Sequence, residues 1–263
     1  MNEFNSLLFE LSSVDRLDIL VLLRKTPLKL SHISHKLNFT VQETSRNLNR
    51  LLDSELIIKN VDGTFSLTHY GEAAFSLLSG FRFLFRNKKY FTNHSTVELP
   101  APFKPSLGIL DDFELVDDVM TVFYNIENMI KNAKDFVWIL TDQILASTLP
   151  HLIDGLQRGL KFRLLMPNDY LPSDDMRELV SNPVFEKASQ NRTLETRFLD
   201  TVNVFLCMSE NEVGVLAFTN SEGKLDYRGF KTEKSSGIEW TKILFTYYWN
   251  NATSQIPDNL IKK

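Results

Sequence analysis

Residues 37–52 read LNFTVQETSRNLNRLL and decide the fold of the N-terminal part of the chain. Asn38 suits a tight turn, because asparagine tolerates a left-handed backbone. Thr40, followed three residues later by Glu43, forms a capping box: the threonine hydroxyl meets a backbone N–H, and the glutamate reaches back to the cap. The stretch therefore predicts a turn and then a helix over residues 40–54.

This predicted helix has two faces. The spacing turns one set toward the core, namely Val41, Thr44, Leu48, Leu51 and Leu52, and leaves Gln42, Ser45, Arg46, Asn49 and Arg50 outward. The outward side chains can donate to base edges and phosphates, whereas a mere scaffold helix more often carries Glu and Lys pairs. Glu43 is expected to be a cap rather than a base reader. Arg50 is either a phosphate contact or a solvated surface residue.

The neighbouring segments complete a recognisable order. The pattern predicts a helix over 12–25, which ends at Pro27, and a short helix over 28–37. After the third helix, strand-like runs at 56–60 and 64–67 flank Asp62-Gly63, which is a strong hairpin signal. This order predicts a winged helix-turn-helix, in which the third helix enters the major groove and the wing lies beside the backbone. Small helical bundles with hairpins also serve as protein-binding modules.

The predicted contacts with double-stranded DNA follow from this arrangement. They are Thr40, Gln42, Ser45, Arg46, Asn49 and Arg50 on the third helix, and Lys59, Asp62 and Gly63 in the wing. A further helix over 72–91 carries apolar residues at helical spacing, including Leu77 and Phe81, with basic residues on its other faces. Pairing of this helix with its twin predicts a homodimer, which matches the two-fold symmetry of most regulator sites. Contact with nucleic acid or membrane through its aromatic and basic residues is the less common alternative.

Prolines at 100, 102 and 105 predict the domain boundary, and we divide the chain into residues 1–95 and 96–263. Beyond the boundary, helical runs alternate with strand-like runs at 136–140 and 161–166, which predicts a parallel α/β sheet with helices on both faces. Further strand-like runs follow at 195–199, 202–208 and 213–218, and the last two are spaced closely enough to look antiparallel. Ligands bind beyond the carboxyl ends of such strands. Polar residues at those ends are therefore candidate effector-binding residues: Thr141, Asp142, Asn168, Tyr170, Asp200, Asp226 and Tyr227.

Charge and composition exclude several classes. Residues 1–92 carry 12 Lys/Arg and 9 Asp/Glu, a net charge of +3, while the remainder carries a net charge of −7. The start of the chain has no basic leader pattern, and no long apolar run is present, so we expect a cytoplasmic protein without membrane contact. The single cysteine, Cys207, and the absence of metal-ligand spacing around His32 and His35 argue against a disulfide framework, a metal site or a cofactor.

The whole chain resembles the archaeal winged-helix regulators of the methanogenesis regulatory protein type, and its second domain is similar to the phospholipase D-like effector domains of TrmB regulators. The resemblance rests on LSSVDRLDILVLL, LNFTVQETSRNLNRLL, LTHYGEAAFSLL, KNAKDFVWIL, GLQRGLKFRLLMP, GKLDYRGF and WTKILFTYYW. Phospholipase D chemistry needs His-x-Lys-x4-Asp, and no histidine of this chain is followed two residues later by lysine. Asn203 and Phe205 stand at the corresponding positions, so we expect a scaffold rather than an enzyme.

The sequence therefore predicts an α+β protein: an N-terminal winged helix-turn-helix followed by a three-layer, phospholipase D-like α/β domain. The expected function is that of a DNA-binding transcriptional regulator whose second domain binds a small effector. Two alternatives remain. One is a ligand-independent DNA-binding or architectural protein whose second domain serves only assembly, and the other is a residual phosphodiesterase.

Overall fold

The computed structural model describes residues 2–171 and 182–255 of the 263-residue chain. It is an α+β protein with one large mixed sheet and one small hairpin. The chain divides into two compact units, Met1–Arg82 and Phe83–Lys263. We call them unit 1 and unit 2. Among the described residues, no helix is long and apolar enough to cross a lipid bilayer.

Unit 1 is built from short helices and a two-stranded hairpin. Its helices are α1 (Asn2–Leu11), α2 (Val14–Lys25), α3 (Leu30–Leu37) and α4 (Val41–Asp53), and its strands are β1 (Ile57–Lys59) and β2 (Phe65–Leu67). The two strands pair antiparallel, with Lys59 opposite Phe65. Leu28 adds a backbone bridge to Phe65 and so joins the segment before α3 to the hairpin. Ile19, Leu20, Ile33, Leu48 and Leu51 lie at the centre of the core.

The prediction for unit 1 is confirmed for α2, α3, α4 and the hairpin. Helix α1 is an addition, since the sequence pattern was not assigned as a helix before residue 12. On α4 the predicted core position Val41 is wrong, because its side chain is 64% exposed, and Asn47 is buried instead. The helix begins at Val41, where its first turn still faces solvent, and its buried stripe starts only at Thr44.

The predicted connecting helix over 72–91 is two helices. Helix α5 (His69–Arg86) ends at Asn87, and α6 (Lys88–Asn93) follows. Asn87 interrupts the helix with non-helical backbone angles, φ −105° and ψ 28°, and its side-chain amide donates to the carbonyl oxygen of Phe83 at 2.9 Å. Unit 2 also begins earlier in the chain than predicted, at Phe83.

The predicted boundary between residues 95 and 96 is therefore corrected to Arg82/Phe83, inside α5. Phe83 and Tyr90 are buried in the core of unit 2, which draws this segment into that unit. The prolines that suggested the boundary lie at Pro100 and in the 3-10 stretch Ala101–Asp112, which packs against the last helix of unit 2. The prolines therefore mark the irregular backbone of this stretch and not the boundary between the two units.

Unit 2 contains a seven-stranded sheet in the order β3-β9-β8-β7-β4-β5-β6. Its strands are β3 (Glu114–Val116), β4 (Phe136–Leu140), β5 (Lys161–Pro167), β6 (Leu194–Leu199), β7 (Val204–Ser209), β8 (Val213–Phe218) and β9 (Gly229–Thr232). Among the described strands, the pairs β4–β5 and β5–β6 are parallel and the other pairs are antiparallel. The antiparallel pairing predicted for β7 and β8 is confirmed, and the sheet as a whole is mixed rather than parallel.

Helices cover both faces of this sheet. Helices α7 (Val119–Asn132), α8 (Leu149–Gln157) and α9 (Pro183–Gln190) share one core with the sheet, and α10 (Ser235–Asn251) shares the other with the 3-10 stretch. Strand β7 shows the alternation that divides the cores: Leu206 and Met208 enter one, and Phe205 and Cys207 enter the other. Strands β3 and β9 and helix α9 were not predicted.

Candidate nucleic-acid interface

The turn between α3 and α4 has the geometry that the sequence indicated. Asn38 is left-handed, with φ 57° and ψ 36°, and its backbone N–H donates to the carbonyl oxygen of Ser34. The N–H of Phe39 also donates to this oxygen, and the Ser34 hydroxyl returns a 2.7 Å hydrogen bond to the carbonyl oxygen of Phe39. These contacts fix the angle at which the chain leaves α3 and enters α4.

The capping box at the start of α4 is confirmed in full. The Thr40 hydroxyl accepts from the backbone N–H of Glu43 at 3.2 Å, and Glu43 Oε2 accepts from the backbone N–H of Thr40 at 2.9 Å. The hydrogen bonds from the backbone N–H and hydroxyl of Thr40 hold the pKa of the Glu43 carboxyl below its ordinary value. Glu43 is therefore a cap, as predicted, and the Thr40 hydroxyl serves the same structure.

Beyond the cap, α4 presents an exposed polar face. Gln42, Arg46 and Asn49 are exposed, and within the described residues none of their side chains has a hydrogen-bond or salt-bridge partner. They lie at positions i, i+4 and i+7 and therefore share one side of the helix. Ser45 beside them is partly exposed. The arrangement leaves amide and guanidinium donors, with no internal partner, on one capped helix.

Arg50 belongs to a different arrangement, which the sequence did not reveal. Its Nε donates to Glu10 Oε2 at 3.0 Å, and its Nη2 also donates to that carboxylate. Glu10 is buried on α1 and additionally pairs with Arg16 at 2.9 Å. Both guanidinium groups lie over the ring of Phe9, at 5.6 Å for Arg16 and 5.2 Å for Arg50.

This cluster gives Arg50 a partner that the sequence did not predict. The hydrogen bond from Arg50, together with the charges of Arg16 and Arg50, holds the pKa of the Glu10 carboxyl below its ordinary value despite burial. Arg50 is thus neither free nor merely solvated, because it ties α4 to α1. The available signal was the spacing of Phe4, Leu7, Leu8 and Leu11, which is helical. That helix would have placed Glu10 among the candidates.

The hairpin predicted to be the wing has a tight turn. Asp62 Oδ1 accepts from the backbone N–H of Thr64 at 3.0 Å and from its hydroxyl at 2.6 Å, and these bonds lower the pKa of the Asp62 carboxyl. Gly63 has φ +81°, a conformation that glycine adopts without strain. Lys59 is exposed, with its ammonium 5.9 Å from the centre of the Phe65 ring.

The structure thus divides the predicted DNA contacts by role. Gln42, Arg46, Asn49 and Lys59 are exposed and available, with Ser45 beside them. Thr40, Asp62 and Gly63 shape the cap and the turn, and the negative charge of Asp62 would repel a phosphate. Arg50 is engaged with Glu10.

The predicted effector residues of unit 2 form two separate pairs at the strand ends. The Tyr227 hydroxyl donates to Asp142 Oδ1 at 2.7 Å, and Asn168 Nδ2 donates to Asp200 Oδ1 at 2.8 Å. Burial raises the pKa of Tyr227, as does its bond to Asp142. Thr141 closes a local turn by donating to the carbonyl oxygen of Gln143 at 2.6 Å. Burial also raises the pKa of Tyr170, although a hydrogen bond to the backbone of Ile144 lowers it in part.

Asp226 is separated from these pairs by its own network. Its Oδ2 lies 3.0 Å from Nε2 of the buried His94 and accepts two hydrogen bonds from Arg228. Although burial raises the pKa of the Asp226 carboxyl, the bonds from Arg228 and His94 bring it below its ordinary value. The ring of His94 stacks on Tyr90 at 3.8 Å. Asp226 therefore holds α6 to the segment before β9.

The cavity beside these residues is small. It has Thr141 in its lining, together with mainly apolar side chains such as Ile139, Phe205 and Cys207, and a volume of about 30 Å³. That is room for one or two water molecules. An effector would have to open this region before it could enter there.

Comparison with known proteins gives the following result. No protein-family model matches the chain, and no curated protein sequence matches it. A solved structure that resembles it is that of TrmBL2, described as an archaeal chromatin protein with a novel mode of DNA binding, at 15% identity and TM-score 0.44 over 92% of this chain and 94% of that one.

Two further structures resemble part of the chain. One is the phospholipase D family member NUC from Salmonella typhimurium, at 10% identity and TM-score 0.38 over 49% of this chain and 88% of that one. The other is NucT from Helicobacter pylori, at 11% identity and TM-score 0.40 over 54% and 96%. At these identities and TM-scores the likenesses carry no inference about function.

Proposed function

We propose that this protein is a DNA-binding transcriptional regulator, with unit 1 a winged helix-turn-helix and α4 its recognition helix. The observation that carries the proposal is the face of α4 that bears Gln42, Arg46 and Asn49, exposed and without partners among the described residues. Polar groups held ready on a capped helix are what a base-reading helix needs. Arginine suits guanine O6 and N7, and glutamine and asparagine suit adenine N6 and N7.

The surroundings of α4 support this role. The turn at Asn38 and the capping box fix the start of the helix, and the Glu10–Arg50 pair fixes its later part to α1. A recognition helix held at both ends loses little freedom on binding, which favours affinity. Lys59 in the wing adds a cation for the phosphate backbone.

We further propose a homodimer formed through α5. In unit 1 this helix exposes Tyr70, Leu77 and Phe81, which are 48%, 59% and 70% exposed and lie on one side at positions i, i+7 and i+11. Large apolar side chains on one helix face are stabilised when a second copy covers them. A two-fold dimer would place two α4 helices on a palindromic site.

For unit 2 we propose a regulatory rather than a catalytic role. Phe205, which stands where phospholipase D chemistry has its lysine, is 4% exposed and packs in the core beneath α7 and α8. Such a side chain binds no phosphate. At the strand ends, Tyr227 already donates to Asp142 and Asn168 to Asp200. At that edge of the sheet these bonds favour the alternative in which unit 2 binds no ligand and serves only assembly.

The experiment is selection of duplexes from a random library by the full chain, followed by titration of the selected duplex by fluorescence anisotropy. We expect a palindromic consensus and an affinity that falls as salt concentration rises. Replacing Arg46 by Ala should weaken binding by about tenfold or more and relax the sequence preference at one base pair of each half-site.

Lys161→Ala is the matched control, since Lys161 is an exposed cation on β5 of unit 2. It should leave affinity for the selected duplex unchanged within about twofold. Failure to enrich any duplex, or equal losses for Arg46→Ala and Lys161→Ala, would remove α4 as the recognition helix. A consensus without two-fold symmetry would contradict the dimer alone.

A further inference from the structure

His94 is a buried histidine at the C-terminal end of α6, and each of its ring nitrogens lies close to an oxygen atom. Its side chain is 2% exposed. Nδ1 lies 2.9 Å from the carbonyl oxygen of Tyr90, one turn back on α6. Nε2 lies 3.0 Å from Oδ2 of Asp226, in the segment before β9. The ring is therefore held between two oxygens that belong to different elements of unit 2.

Both oxygens are hydrogen-bond acceptors. A backbone carbonyl only accepts. Burial raises the pKa of the Asp226 carboxyl, but hydrogen bonds from Arg228 and His94 bring it below its ordinary value, so Asp226 is a carboxylate near neutral pH. A neutral histidine ring carries one N–H, and its other nitrogen has a lone pair. Only the imidazolium form donates to both oxygens, whereas the neutral ring sets a lone pair against one of them.

The charged groups around Asp226 also favour a cationic ring. Arg228 bonds to Asp226 and, through Nη1 at 3.2 Å, to the exposed Asp117 before α7. One guanidinium thus faces two carboxylates. A positive charge on His94 balances this cluster, whereas a neutral ring leaves an excess of negative charge beside a buried side chain.

The groups on the other sides of the ring keep their charge near neutral pH. The ring of Tyr90 stacks on His94 with centroids 3.8 Å apart, and an aromatic face attracts a cation. Burial raises the pKa of the Tyr90 hydroxyl, so that group stays neutral. The turn after β8 carries Glu222 and Lys224, which are exposed and pair with each other at 3.1 Å. His94 is therefore the side chain of this junction whose charge is expected to change between about pH 5 and pH 8.

Backbone hydrogen bonds beside His94 join the end of α6 to the turn after β8. The N–H of Ser95 donates to the carbonyl oxygen of Thr219 at 2.9 Å, and the N–H of Ser221 donates to that of Asn93 at 2.8 Å. These two bonds lie next to the His94 ring along the chain. They report whether the end of α6 is attached to the sheet.

We propose that His94 is a pH-sensitive latch, whose charged ring holds α6 against the segment before β9. At low pH the ring donates to both Tyr90 and Asp226. As pH rises and the ring loses a proton, one of these contacts is lost, and burial keeps solvent from replacing it. The stabilisation is thus present at low pH and is lost as pH rises, which loosens the end of α6. The latch lies within unit 2 and does not require DNA binding.

The test is hydrogen exchange of the full chain from about pH 5.5 to about pH 8.5, corrected for the intrinsic pH dependence of exchange. Protection of the Ser95 and Ser221 N–H groups should fall by about tenfold or more across this range, because a charge-assisted hydrogen bond is lost. The N–H of Phe162, which donates to the carbonyl oxygen of Thr193 at 2.7 Å, should keep its protection. No fall at Ser95 or Ser221, or an equal fall at Phe162, overturns the proposal.

Two variants assign the fall in protection to the His94–Asp226 pair. His94→Gln keeps a donor but cannot change its charge, and Asp226→Asn supplies an amide that accommodates a neutral ring. Each should remove the fall. His151→Gln is the matched control, because His151 also faces a carboxylate, Glu127 at 3.6 Å, but is partly exposed on α8. It should leave the fall unaltered.

A fall that persists in His94→Gln or in Asp226→Asn overturns the assignment to this pair, as does a fall that His151→Gln removes. The natural protein alone already decides whether the junction loosens with pH, so the test holds even where one variant fails to fold. Since no DNA is present in these measurements, their outcome is independent of the regulator proposal.

Discussion

The polar face of α4 and the polar cluster at the strand ends of unit 2 look alike in sequence but differ in structure. On α4, the side chains of Gln42 and Arg46 make no hydrogen bond or salt bridge among the described residues. At the strand ends, Tyr227 is bonded to Asp142 and Asn168 to Asp200. Both sets were predicted as binding residues on the ground of residue type and position. The donors of the second set already bond within the cluster, whereas those of the first set are unbonded.

The difference shows how a binding surface is separated from a structural one. A side chain that already donates to a neighbour must give up that bond before it can serve a ligand, which reduces the net gain. A side chain kept free on a rigid helix costs little in the unbound protein when it is exposed, and its full interaction is available to a partner. Unbonded polar side chains on a rigid helix are therefore a better criterion for a binding surface than residue type and position alone.

The largest expected effect on stability comes from Glu10 of α1, whose carboxylate binds Arg50 of α4. Glu10→Ala leaves the buried guanidinium of Arg16 without its carboxylate, and Arg50 without its anchor. We expect the free energy of unfolding to fall by about 3 kcal/mol at pH 7. Chemical denaturation followed by circular dichroism measures this change.

The same residue gives a pH dependence with a definite sign. Because the pKa of Glu10 is lowered from 4.5 in the folded protein, its stabilisation is present above pH 4.5 and is lost as pH falls through the folded value. The stability difference between Glu10→Gln and the natural protein should therefore shrink below about pH 4. A difference that stays constant down to pH 3 would contradict the ion pair.

A second prediction compares two arginines on the same helix. Arg50→Ala should lower the free energy of unfolding measurably, because it removes charge-assisted bonds to the buried Glu10 that are partly open to solvent at the arginine. Arg46→Ala should change it by less than about 0.5 kcal/mol, since its exposed guanidinium has no hydrogen bond or salt bridge among the described residues. Thermal and urea denaturation of both variants checks this. Equal destabilisation by the two changes would contradict the different roles that we assign to Arg50 and Arg46.

Local patterns in the sequence were sufficient for much of unit 1. Asn38, the Thr40–Glu43 box and Asp62-Gly63 act through contacts within five residues, and each has the predicted geometry. The Arg50–Glu10 bond joins residues 40 apart in the chain, and no local rule specifies it. The same limit applies to the proposed DNA-binding residues: the sequence supplied the set, but not which of them were already bonded within the protein.

Unit 2 was harder to predict because its organisation is non-local. The strands from β4 to β8 were found from their apolar runs, whereas β3 and β9 are short edge-side strands of three and four residues with weak patterns. The sheet is mixed because β7 lies antiparallel between β4 and β8, and the placement of β7 beside β4 is not revealed by alternation along the chain.

A third prediction tests the strand-end cluster. Tyr227→Phe removes the hydroxyl that donates to Asp142, so the free energy of unfolding should fall by about 1 kcal/mol. Affinity for the selected duplex should not change, because the hydroxyl acts within unit 2. Parallel urea denaturation and anisotropy titrations measure the two quantities. A marked loss of DNA affinity with unchanged stability would reverse the roles assigned to the two regions.

The smallest effect compares one turn from each region. Gly63 in the wing and Gly223 in unit 2 have φ of +81° and +73°, and an added Cβ at either meets no atom within 4 Å. Replacing either by Ala therefore imposes only backbone strain, and each change should lower the free energy of unfolding by about 1 kcal/mol. Only Gly63→Ala distorts the hairpin that we place beside the DNA backbone, so it alone should weaken DNA binding, by about threefold. Because the two variants should lose equal stability, a difference in their DNA affinity, measured by anisotropy titration, reports the location of the turn alone. Equal DNA affinities for both would show that the wing does not contact DNA.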